Sequence, residues 1–127
     1  MLARLLLCEH NAQLATILID LFKDENIAVR PCESLEEIEA AIDEEPDAIV
    51  LTDSWTGSWA PQLCPLERDA IKRLGERTYV VVTTGRAWAQ HAVQGALGRR
   101  VAVIAKPYDL DEVVGAVRNA LALQSDR

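Results

Sequence analysis

The sequence predicts a single α/β domain, with five parallel strands in one sheet and helices on both faces. Three observations predict it. Apolar runs of strand length recur five times: Leu2 to Cys8, Ile27 to Arg30, Pro46 to Asp53, Tyr79 to Thr84 and Val101 to Ala105. The segments between them carry apolar residues at helical spacing. Strand and helix thus alternate, which calls for right-handed crossovers and a parallel sheet. The pivot is Pro46-Asp47-Ala48-Ile49-Val50-Leu51-Thr52-Asp53. Its apolar run reads as a strand buried on both faces and ends in the carboxylate of Asp53.

Each element has a local reason. Leu2 to Cys8 forms the first strand; its apolar run is too short for a signal peptide and lacks a cleavage site. Asn11 is placed to cap a helix in which Leu14, Ile17, Leu18, Leu21 and Phe22 keep the period to about Glu25. The second strand, from Ile27, is closed by Pro31. Ser34 and Glu37 form a capping box for a helix with Leu35, Ile38 and Ile42 on one face, stopping before Pro46. After Asp53, Leu63, Leu66, Ala70, Ile71 and Leu74 keep helical spacing, and Gly75 suits that helix's stop. Following the fourth strand, a weaker helix is expected from about Trp88 to Leu97. Asp109 to Glu112 opens a final helix carrying Leu110, Val113, Val114, Val117 and Leu121. The polar tail from Gln124 to Arg127 is expected to fray.

Size and charge narrow the function classes. A chain of 127 residues buries enough surface to fold unaided. No run approaches the ~20 apolar residues of a membrane span. A formal net charge of −7 argues against nucleic-acid binding, which needs clustered Lys and Arg. The doublet Arg99-Arg100 reads as solvated at a strand edge. Cys8, Cys32 and Cys64 form no even framework and no CxxC pair, and read as reduced, buried side chains of a cytoplasmic protein.

In a parallel sheet the C-terminal strand ends gather on one edge, where such sheets bind ligands. That edge collects Glu9 and His10, Asp53, Thr84 and Lys106. Each has an innocent reading alone: helix cap, turn residue or surface charge. Their convergence favours a site.

These residues resemble the receiver domain of two-component response regulators over essentially the whole chain. The third strand ending at Asp53, Val-Val-Val-Thr-Thr84-Gly, Val-Ala-Val-Ile-Ala-Lys106-Pro107, and Glu9-His10 at the acidic pair carry the likeness. The resemblance implies a flavodoxin-like fold of strand order 2-1-3-4-5. It implies a phosphoacceptor domain with no enzymatic output, in which Asp53 takes a phosphoryl group from a sensor histidine kinase or histidine phosphotransfer protein. Mg²⁺ would be held by Asp53, Glu9 and the backbone carbonyl of Trp55, with His10 as a fourth candidate. Lys106 and Thr84 would contact the phosphoryl group, and Lys106-Pro107 would be a cis peptide. The output would be altered binding of a protein partner, with a homodimer as one family outcome. The chain would be a stand-alone receiver or one cut from a longer protein.

The sequence departs from that family in three places. His10 stands where an Asp is usual, and imidazole is a poor Mg²⁺ ligand. The loop after Asp53 carries Trp55, which either shields the site or packs on the third helix. Val103 replaces the usual aromatic residue three positions before the Lys. Two rivals follow: a phosphorylation-independent pseudo-receiver that binds protein partners, and, more remotely, a small Asp-dependent phosphohydrolase. The latter would need a cap and a second acid, where Ser54-Trp55 follows.

Overall fold

The computed structural model describes residues 3–53, 65–84, 98–105 and 109–125, with the backbone alone at residues 65, 67, 84 and 105. Strands β1 (Ala3–Cys8), β2 (Ile27–Pro31), β3 (Ile49–Asp53), β4 (Val80–Thr84) and β5 (Val101–Ala105) form one sheet. Every pairing is parallel and the order is β2-β1-β3-β4-β5, as the resemblance implies. Strand alternation divides the core in two. Leu5, Leu7, Ile49, Leu51, Val81 and Ile104 face α1 (Ala12–Asp24) and α4 (Leu110–Ser125). Leu6, Cys8, Val50, Val82 and Val103 face α2 (Leu35–Glu44) and α3 (Pro65–Arg77). All five residues of β3 are buried, the double burial expected of a central strand. The helix expected over 88–97 lies outside the described residues.

Local chemistry sets the element ends. The Asn11 side chain accepts from the Leu14 amide at 3.0 Å, so α1 starts where predicted. Ser34 Oγ accepts from the Glu37 amide at 3.1 Å. Glu37 reaches back to the Glu33 amide at 2.7 Å, one residue further out than the predicted box requires. Asn26 turns the chain from α1 into β2 at φ 62°, a left-handed conformation Asn tolerates. The Cys32 amide donates inward to the Leu7 carbonyl at 2.7 Å. By alternation the Pro31 nitrogen faces the open side of this edge strand, so no ladder bond is lost. The buried Thr78 hydroxyl donates to the Ala48 carbonyl at 2.6 Å and ties the entry of β4 to that of β3.

Four expectations need correction. Gly75 does not end its helix; α3 continues to Arg77. The buried face of Ala70, Ile71 and Leu74, with ion pairs Arg73–Glu39 (2.8 Å) and Arg77–Asp43 (2.6 Å) to α2 on either side of Gly75, outweighs its ~1 kcal/mol propensity cost. Ile17 and Leu66 are exposed, at 48% and 80%. Both lie at the margin of their stripe: Leu66 is the second residue of α3, one turn before buried Ala70, and Ile17 borders buried Leu18. Arg100 is not simply solvated: it donates to the Glu76 carbonyl at 3.1 Å and lies 5.9 Å over the Tyr79 ring. The last helix carries Gln124 and Ser125 within it, past the expected point of fraying, and Ser125 Oγ bonds back to the Leu121 carbonyl. Among the described residues no helix is long and apolar enough to cross a membrane.

Candidate functional site

Register places the first components. Cys8 pairs with Thr52, so the chain leaving β1 passes beside the end of β3. There His10 holds Asp53 twice. Its backbone amide donates to Oδ2 at 2.9 Å, and its ring Nδ1 lies 2.7 Å from Oδ1. That second contact is a hydrogen bond with the proton on Nδ1. The Asp53 side chain is 8% exposed and the His10 ring 49% exposed, so the pair joins a sunken carboxylate to a half-open imidazole.

Glu9 is half-buried, and its carboxylate accepts from the Asn11 amide at 3.0 Å, beside the α1 N-terminus. Thr83, buried, is the register partner of Asp53. Thr84 follows at the end of β4 and pairs with Ala105, the residue before Lys106. The Thr84 side chain, Lys106, Pro107 and Trp55 lie outside the described residues. Val103 is buried on the α3 side of the sheet.

Sequence reasoning passed over Cys8. Treated there as a small core residue, it is 2% exposed and stands beside Asp53. Burial first, and the Asp53 carboxylate second, push its thiol up to about 11. The available signal was the i, i+2 spacing of Cys8 and His10 at a strand end. Cys8, His10 and Asp53 each offer one ligand atom, all within 4.8 Å of one another.

Two oxygen donors expected for Mg²⁺, the carboxylates of Asp53 and Glu9, stand at this edge. Mg²⁺ asks for one or two carboxylates and otherwise waters; Asp53 groups with Cys8 and His10, while the Glu9 carboxylate is turned to the Asn11 amide. His10, however, engages both Asp53 oxygens, where the resemblance implies a second acid.

The architecture defines the class: a doubly wound sheet with an aspartate sunk at the end of its central strand. It is the fold of response regulator receiver domains. A receiver domain protein from Clostridium thermocellum matches with TM-score 0.75 and 19% identity, over 98% of this chain and 98% of that one. A response regulator from Thermotoga maritima matches with TM-score 0.75 and 15% identity, over 96% and 99%. A CheY-like receiver domain protein from Methanospirillum hungatei matches with TM-score 0.74 and 16% identity, over 99% and 98%. No protein-family model and no curated protein matches the sequence.

Proposed function

We propose that this chain is a signalling receiver that accepts a phosphoryl group on Asp53. The observation that carries the reading is the position of Asp53, at the C-terminal end of the central strand of a receiver-type fold. In the proposed step an Asp53 oxygen attacks the phosphorus of a phosphohistidine on a histidine kinase or phosphotransfer protein. An O–P bond forms, the N–P bond breaks, and the donor imidazole leaves with a proton. Asp53 is then an acyl phosphate. The His10 amide, already on Oδ2, orients the nucleophile. Bound Mg²⁺, held through Asp53 and Glu9, would neutralise charge between carboxylate and phosphoryl group. Lys106 and Thr84, following β5 and ending β4, are assigned to the phosphoryl oxygens, and the altered edge then changes binding of a protein partner.

His10 favours a second reading, a phosphorylation-independent binding module, because its hold on both Asp53 oxygens competes with attack and with Mg²⁺. Intact mass after incubation with acetyl phosphate, with and without Mg²⁺, separates the two. The phosphoacceptor gains one phosphoryl group in a Mg²⁺-dependent manner, and Asp53→Asn gains none. No gain with acetyl phosphate or a phosphorylated histidine donor would leave the binding module; a gain surviving Asp53→Asn would move the acceptor elsewhere.

A further inference from the structure

We propose that Cys8, His10 and Asp53 form a binding site for a borderline transition-metal dication, with Zn²⁺ as the type case. Three elements of the argument are independent. The first is convergence: the Cys8–Thr52 register and the turn after β1 bring a sulfur, an imidazole nitrogen and a carboxylate oxygen within 4.8 Å of one another. The second is donor chemistry. Thiolate and imidazole select Zn²⁺ and its neighbours, while Mg²⁺ prefers a shell of oxygens. The third is access. A cleft of about 490 Å³ is lined by all three residues together with Ser34, Leu35 and Arg73, giving an entry path and room for a fourth ligand.

The geometry is close to what a tetrahedral ion requires. Metal–ligand lengths of ~2.0–2.3 Å put ligand atoms about 3.3–3.7 Å apart. The His10–Asp53 contact, now 2.7 Å, must widen by about 0.6 Å, taking those lengths as the standard. The His10 ring is half-exposed and can swing to open that contact, while the Cys8 sulfur, within 4.8 Å of the other two ligand atoms, closes by up to about 1 Å to reach the same standard. The ion replaces the proton on Nδ1 and the proton on the Cys8 thiol, and both are released to water. Three protein ligands leave one position open, as in zinc sites that bind a water or an exogenous ligand. Metal binding stands by itself. Its consequence, a bound Zn²⁺ that withholds Asp53 from phosphoryl transfer, rests on the phosphoacceptor reading.

The test uses the full metal-free chain and Co²⁺ as a spectroscopic probe. One equivalent of Co²⁺ should give a thiolate-to-metal charge-transfer band and the intense visible bands of a four-coordinate ion. One equivalent of Zn²⁺ should erase them, and a large excess of Mg²⁺ should not. Cys8→Ser should abolish the charge-transfer band, while a Cys32→Ser, Cys64→Ser double variant keeps it. His10→Ala, at a half-exposed position that leaves the core intact, should weaken Co²⁺ binding at least about tenfold, since losing even a supporting residue costs that much. No band, a band surviving Cys8→Ser, a band lost in the double variant, or unchanged affinity in His10→Ala would each overturn the site. Mass spectrometry with acetyl phosphate is the separate arm. Cobalt bands with no phosphorylation under any condition retain the metal site and end the phosphoacceptor reading. Phosphorylation without cobalt bands does the reverse.

Discussion

Two hydrogen bonds from one residue, His10, occupy both oxygens of the sunken carboxylate of Asp53. The ring supplies a nitrogen where a hard cation needs an oxygen anion, so the side chain at position 10 is predicted to set metal preference. His10→Asp removes the ring contact and adds a carboxylate. Mg²⁺ affinity should rise on the order of tenfold, with a matching fall in Zn²⁺ affinity. Isothermal titration of both ions against both proteins checks this, and unchanged Mg²⁺ binding would contradict it. Asp53 was legible in the sequence because a lone acid closes a continuous apolar run. Cys8 was not, because its meaning depends on the β1–β3 register, a non-local pairing invisible in the local pattern. The Glu9 contact with Asn11 is local instead, and a carboxylate two residues before an amide serves equally as ligand or cap.

Helices were read well where a cap and a stripe coincide, and less well where only the stripe speaks. Asn11 and Ser34 start α1 and α2 at the predicted residues. α3 is the contrary case: its glycine signalled a stop, yet tertiary burial and ion pairs to α2 carry the helix past it. Periodicity alone also placed Leu66 with Ile71, although Leu66, in the first turn of α3, is left exposed. Alanine substitutions should separate them. Ile71→Ala, at a fully buried position, is expected to cost about 2–5 kcal/mol of stability. Leu66→Ala, 80% exposed, is expected to stay within about 0.5 kcal/mol of the parent. Urea denaturation measures both, and equal losses would mean that Leu66 is covered in solution.

For the whole molecule, alternation of strand and helix was enough to give the layer architecture. The strand order came from the likeness to receiver domains, because nothing in a local period says which strands are neighbours. Stability should also depend on pH through the buried thiols. Burial raises the Cys32 thiol above its ordinary 9.0. Above about pH 9 the unfolded chain releases that proton while the folded one retains it, so stability falls as pH rises through this window. Cys32→Ala should therefore lose less of its urea midpoint than the parent between about pH 7 and about pH 10; parallel declines would rule the linkage out. The rim of the sheet carries a different consequence. At Pro31, the outward side of β2 lacks a donor and presents a ring instead, while Arg30 beside it is engaged by Glu44 and Glu45. An incoming strand from another copy finds a broken hydrogen-bond template and a charged neighbour. The margin that would otherwise seed cross-β stacking is thereby blunted, and the chain is protected against aggregation from that side.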